Sequence, residues 1–139
     1  RVKIGYQAAI MLLRAGARVI VTTRFPHDAA RRFAAEPDYH CWGDRVSVYG
    51  LDLRHTPSVE LFARRLGERE ERLDFILHNA CQTVRRPPAF YAHLMEREGL
   101  PLRSLPEREQ PIVAAHDALR AELRALHHAP GLLHAPTLS

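Results

Sequence analysis

The chain has 139 residues, 46% of them hydrophobic, and it carries a formal net charge of +4. We expect at most one domain, with no membrane span and no signal peptide, because no apolar run is long enough to cross a bilayer and polar residues interrupt the apolar stretch near the N-terminus. The arginines alternate with acidic residues, as in RRLGEREER at 64–72, and this pattern indicates a solvated helix face rather than a nucleic-acid surface.

The first part of the chain alternates helical and strand patterns. Apolar periodicity predicts a helix over 5–15, and Gly16 is expected to end it because glycine adopts positive φ readily. A β-branched run predicts a strand over 17–23 that is buried on both faces. A second helix is predicted over 27–36 and a second strand over 45–53.

The alternation continues through a third helix and a third strand. Thr56 or Ser58 is expected to cap the helix, and the segment LDFIL predicts a strand over 73–77. Helices and strands that follow one another in this order favour a parallel sheet wrapped by helices.

The pattern changes from residue 85 onward. RRPP at 85–88 is excluded from a central strand because proline lacks the donor that a sheet needs. A short helix is predicted over 90–98, a proline-rich loop over 99–111 and an amphipathic helix over 112–128.

The segment GYQAAIMLLRAGARVIVTTR resembles the part of the short-chain dehydrogenase/reductase family that follows its glycine-rich cofactor turn. Gly5 matches the last glycine of the family motif T-G-x-x-x-G-x-G, and Lys3 stands at the middle glycine. The resemblance covers residues 1–84 and implies a partial doubly wound, Rossmann-like parallel sheet that lacks its first strand. Residues 85–139 are then a proline-rich loop and helical insertion of the same domain.

The resemblance implies that the start of the first helix binds the pyrophosphate of a nicotinamide dinucleotide. Glycine lets the backbone approach the phosphates, and a helix N-terminus offers unpaired N–H groups with a partial positive charge. Lys3, Ile4 and Gly5 are therefore candidate cofactor-binding residues, and the ammonium group of Lys3 adds a charge that can meet a phosphate.

The end of the second family strand predicts the choice of cofactor. Family members that bind NAD carry an acidic residue there, whereas this chain has Thr23 followed by Arg24. A carboxylate would repel the 2′-phosphate of NADP, and a guanidinium can donate paired hydrogen bonds to it. We therefore expect NADP as the cofactor, with NAD as the weaker alternative. The competing interpretation is that Arg24 is an exposed loop cation.

Further cofactor contacts are implied after the next two predicted strands. Asp52 matches the family aspartate that binds the adenine amino group, and Leu53 would pack beside the ring; the competing interpretation is a capping or loop aspartate. Asn79 and Ala80 match the family's Asn-Ala segment, which lies beside the cofactor sugar. His78 and Cys81 replace other residues of that segment, and we assign them no role.

No catalytic residue is assigned. The family's chemistry needs a tyrosine with a lysine four positions later, which together move a proton while hydride is transferred. Lys3 is the only lysine, so this chain contains no Tyr-x-x-x-Lys. We expect an internal piece of a longer, NADP(H)-preferring oxidoreductase, truncated at both ends and inactive by itself. The surviving strands would then lack the neighbour that they share.

Two other functions remain open from the sequence. The first is a non-catalytic nucleotide-binding or regulatory module. The second is a metal site built from His40 and Cys41, or from His127, His128 and His134, which their spacing disfavours. Two distant cysteines favour a reduced, cytoplasmic protein. We expect the parent protein to act on a small-molecule substrate. A homo-oligomeric parent protein is compatible with the sequence.

Overall fold

The computed structural model describes residues 4–80 and 88–125, and they form a mixed α/β structure. This part of the chain contains five α-helices and two β-strands in the order α1 Ile4–Arg14, β1 Val19–Thr23, α2 Pro26–Ala34, β2 Val46–Gly50, α3 Thr56–Arg69, α4 Ala92–Glu98 and α5 Gln110–Ala125. Short 3-10 turns lie at Tyr39–Cys41, Gly43–Arg45, Pro88–Tyr91 and Leu102–Ser104. None of the described helices is both long and apolar enough to cross a membrane.

Strands β1 and β2 pair in parallel, as predicted. Val19 lies opposite Val46, and Thr23 lies opposite Gly50. The N–H of Leu51 donates to the carbonyl of Thr23 at 2.9 Å, which continues the pairing just beyond β2. Because the strands are parallel, the chain leaves both of them at the same edge of the sheet, which we call the carboxyl edge.

Alternating side chains of the strands pack on opposite faces of the sheet. One face supports the larger core, formed by Ala9, Ile10, Leu13, Ala30, Phe33, Ala34, Trp42, Val46, Val48, Leu105, Ile112 and Val113. On the other face Tyr49, Leu51 and Leu119 are buried against side chains of α3. The rings of Tyr49 and Phe62 meet edge to face there, with centroids 5.1 Å apart.

Helix α5 packs against β2 and contributes to both cores. Its residues Ile112 and Val113 lie in the larger core, and Leu119 lies in the smaller one. The backbone N–H of Gly50 donates to Nδ1 of the buried His116 at 3.2 Å. The C-terminal helical segment is therefore packed directly on the sheet.

The prediction of a strand over 73–77 is wrong. These residues form no strand, and Phe75, Ile76 and Leu77 are 84%, 68% and 65% exposed. A strand needs a hydrogen-bonded neighbour, and within residues 4–80 and 88–125 the sheet has only the two strands β1 and β2. For the same reason β1 is half-buried along most of its length rather than buried on both faces.

The helix ends follow local chemistry, with one correction. Gly16 has φ of 93° and follows α1, so the predicted end of this helix is confirmed. The predicted cap of α3 at Thr56 or Ser58 is wrong, because the ring of His55 accepts from the N–H of Ser58 instead. Residues 126–128 of the last predicted helix lie outside the described residues.

Candidate functional site

Thr23 and Arg24 lie at the carboxyl edge, where β1 turns into α2. The hydroxyl of Thr23 accepts a hydrogen bond from the N–H of Phe25 at 3.2 Å, and this bond fixes the turn around Arg24. Leu51 bonds to the Thr23 carbonyl, so the residues after β2 are held beside this turn. The structure therefore brings Thr23 and Arg24 close to the segment that carries Asp52 and Leu53.

Asp52 is held by Arg54, a residue that the sequence interpretation did not single out. Its carboxylate accepts from the backbone N–H of Arg54 at 3.0 Å and from Nη2 of the same residue at 2.6 Å. These hydrogen bonds lower the pKa of the Asp52 carboxyl, and the nearby charge of Arg24 lowers it further. Asp52 is thus an ionised acceptor in a tight loop turn, and it does not cap α3. Leu53 beside it is exposed.

Two aromatic rings lie beside the Arg24 guanidinium. Its Cζ lies 5.6 Å from the centroid of Phe25 and 5.5 Å from that of Tyr91, which belongs to the 3-10 turn before α4. The two rings stack on each other with centroids 5.4 Å apart. Arg24 is half-buried, and none of the ion pairs between described residues includes it. Arg24 is therefore a half-buried side chain in contact with two rings, rather than a fully exposed loop cation.

Gly5 and Asn79 form a second group of predicted site residues. A Cβ placed on Gly5 would lie only 2.6 Å from Nδ2 of Asn79, so the absence of a side chain at Gly5 permits this approach. The contact joins the first turn of α1 to the end of segment 73–80, which forms neither helix nor strand. Ile4 and Ala80 flank the contact and are exposed, as is His78. Lys3 lies outside the described residues.

The N-terminus of α2, directly after Arg24, is already occupied by a protein carboxylate. Glu98 at the end of α4 is 4% exposed, and its oxygens accept from the N–H groups of His27 and Asp28, each at 3.0 Å. Burial raises the pKa of the Glu98 carboxyl. The carbonyl of Arg97 also lies 2.9 Å from Nδ1 of His27. The backbone N–H groups of His27 and Asp28 in the first turn of α2 therefore already have an acceptor within the protein.

Replacing Glu98 with alanine is expected to lower the free energy of unfolding by about 1–2 kcal/mol, because the N–H groups of His27 and Asp28 lose their acceptor. Chemical unfolding of Glu98→Ala and of Glu96→Ala, an exposed glutamate on the same helix, measures the difference. Equal stability of the two variants would contradict this capping role.

Sequence signals for Arg54, Tyr91 and Glu98 differ. Arg54 follows Asp52 by two residues, so a local turn could have indicated it. Tyr91 and Glu98 reach the site from far along the chain, and no local pattern points to them. Among the described residues, no group of three or more His, Cys, Asp or Glu side chains could hold a metal ion. Cys81, His127, His128 and His134 lie outside that part of the chain.

Comparisons with known proteins give one informative match. No protein-family model matches the chain, and no solved structure matches it. The uncharacterized protein R665 of Acanthamoeba polyphaga mimivirus is 40% identical over 91 residues, which cover 60% of this chain and 19% of that protein. The chain is thus similar to a segment of a much longer viral protein, and it spans less than a fifth of the length of that relative.

Proposed function

We propose that this chain is the cofactor-binding portion of an NADP(H)-preferring short-chain oxidoreductase. The observation that carries the proposal is the position of Arg24 at the carboxyl edge of a parallel strand pair, beside Asp52 and with an uncharged Thr23 before it. Ligands of parallel α/β proteins bind outside the carboxyl ends of the strands. A guanidinium at that place, without an acidic neighbour on its own strand end, favours a ligand with an additional phosphate.

Each proposed contact uses chemistry that its residue can supply. Arg24 would donate to the 2′-phosphate, and the ionised Asp52 would accept from the adenine amino group. The N-terminus of α1 at Gly5 would face the pyrophosphate, with Asn79 beside the sugar. When bound, the nicotinamide supplies hydride transfer. The uncovered side chain of Leu53 is available to pack beside the adenine ring.

The finer fold assignment, a Rossmann-like sheet without its first strand, is part of the same proposal. Three consecutive apolar side chains, Phe75, Ile76 and Leu77, are exposed, and a patch of this kind normally has a partner. A further strand between β1 and residues 73–77 would pair with both, and elements packed on the faces of the enlarged sheet would cover these side chains. The longer mimiviral relative is compatible with such an additional segment.

The alternative is a non-catalytic nucleotide-binding module. One observation favours it: Lys3 is the only lysine of the chain, so the family's Tyr-x-x-x-Lys pair is absent from these residues. A complete reading frame that continues into a valine-rich strand with Thr-Gly upstream and Tyr-x-x-x-Lys downstream supports the oxidoreductase. A frame without Tyr-x-x-x-Lys supports the module.

The cofactor proposal is tested by titrating NADPH, and separately NADH, into the polypeptide that the complete reading frame encodes. NADPH is expected to bind at least about tenfold more tightly, since one charge-assisted pair contributes about 1.5–3 kcal/mol. Equal affinity for the two dinucleotides, or no binding of either, would contradict it.

A further inference from the structure

The aromatic environment of Arg24 is built from two distant parts of the chain. Phe25 is its direct neighbour, whereas Tyr91 comes from the turn that begins α4. The Arg24 Cζ lies within 5.6 Å of both ring centroids, and the planes of the two rings are inclined by 25°. Guanidinium groups this close to aromatic rings are attracted by the negative faces of the rings.

Tyr91 is fixed in place through the other end of its helix. Glu98 accepts two backbone hydrogen bonds from the first turn of α2, and the Arg97 carbonyl lies at hydrogen-bond distance from the ring of His27. Helix α4 is only seven residues long, so these bonds limit how far Tyr91 can move relative to Arg24. Helix α4 is thus hydrogen-bonded to the start of α2, and the turn before α4 places the Tyr91 ring beside Arg24.

From this geometry we propose that Tyr91 is a positioning residue that sets the preference for NADP over NAD; the proposal rests on the proposed function of Arg24. A free arginine side chain samples many rotamers, and much of this conformational freedom is lost when it binds a phosphate. The contact with Tyr91 already restricts the rotamers of Arg24 in the ligand-free protein, so less conformational freedom is lost when the ligand binds. A cation–π contact uses the positive charge of the guanidinium rather than its N–H donors, which can therefore still donate to the 2′-phosphate.

A variant series at Tyr91 tests this inference in the complete polypeptide. The measured quantity is the ratio of affinities for 2′,5′-ADP and 5′-AMP, which differ only in the 2′-phosphate, determined by calorimetry. Tyr91→Leu is expected to lower the ratio about three- to tenfold, which corresponds to the usual size of one cation–π contact. Tyr91→Phe keeps the aromatic face and is expected to retain the ratio of the wild type.

A matched control and a ligand-free readout separate positioning from general destabilisation. Tyr39→Leu removes a similar contact elsewhere, between the Tyr39 ring and Arg108 at 5.0 Å, and should leave the ratio unchanged. Without ligand, the NMR shifts of the Arg24 side-chain protons should lose the part of their ring-current displacement that the Tyr91 ring contributes in Tyr91→Leu and keep it in Tyr91→Phe, while Phe25 contributes equally in both variants.

The outcomes distinguish this inference from the proposed function. An unchanged ratio in Tyr91→Leu, together with a lower ratio in Arg24→Ala, would overturn the role of Tyr91 and leave the role of Arg24 standing. A wild-type protein without preference for 2′,5′-ADP would overturn both.

Discussion

Replacing Arg24 with alanine is expected to weaken NADPH binding about 10- to 100-fold while NADH affinity changes less than about threefold. The reason is the 2′-phosphate, which carries a charge of about −1.5 to −2 at neutral pH and forms strong hydrogen bonds with a guanidinium. NADH has a hydroxyl at that position. Fluorescence titration of the complete polypeptide with both dinucleotides gives the two affinities.

Two further variants make the Arg24 result specific. Arg18→Ala removes the same charge from just before β1, at the opposite end of the strand, where Arg18 pairs with Glu70 at 2.7 Å. It should leave NADPH affinity within about twofold, since screening makes distant surface charges weak. Arg24→Lys keeps the charge without the paired donors and should lie between alanine and wild type. Equal losses in Arg24→Ala and Arg18→Ala would remove Arg24 from the binding site.

The protein is expected to lose about 3 kcal/mol of folding stability through His116 between pH 6.5 and pH 4. Burial, together with the smaller effects of the charges of Arg120 and His27, lowers the pKa of His116 to about 4. Because the pKa is lower in the folded state than in the unfolded state, this contribution is complete above about pH 6.5. It is lost as the pH falls toward 4, when protonation also breaks the bond from the Gly50 N–H.

The control for this pH dependence is His116→Asn. Asparagine offers an oxygen near the position of Nδ1, so it can still accept from Gly50, but it does not titrate. Urea unfolding of wild type and variant at several pH values between 4 and 7 measures both stabilities. The difference between the two proteins should change by about 3 kcal/mol across this range. Parallel curves would contradict the assignment.

Local signals in the sequence were sufficient for most elements of the fold. The β-branched run in 17–23 and the stretch RVSVYGLDL at 45–53 predicted the two strands, although the second strand ends at Gly50 rather than at residue 53, and the helix end at Gly16 needs only the freedom of glycine. These features depend on neighbours within a few residues. The strand predicted over 73–77 failed because strand formation depends on pairing with a distant segment, and apolar content alone does not supply a partner.

The candidate site was predictable only where it lies directly after a strand. Thr23, Arg24 and Asp52 were predicted from the resemblance to the short-chain dehydrogenase/reductase family, and the structure brings them together at the carboxyl edge. Tyr91 and Glu98 could not be found in this way, because they reach Arg24 and α2 through the packing of α4. The cap of α3 was missed because histidine is uncommon at that position.

Phosphorus NMR of NADP bound to the complete polypeptide tests whether Arg24 donates hydrogen bonds to the 2′-phosphate. A free phosphate monoester has a second pKa of about 6. If Arg24 donates to the 2′-phosphate, the pKa of the phosphate bound to the wild type should lie about one unit or more below that of free NADP. In Arg24→Ala it should return to the value of free NADP. A 2′-phosphate that titrates in the bound state as it does in free NADP would contradict the account.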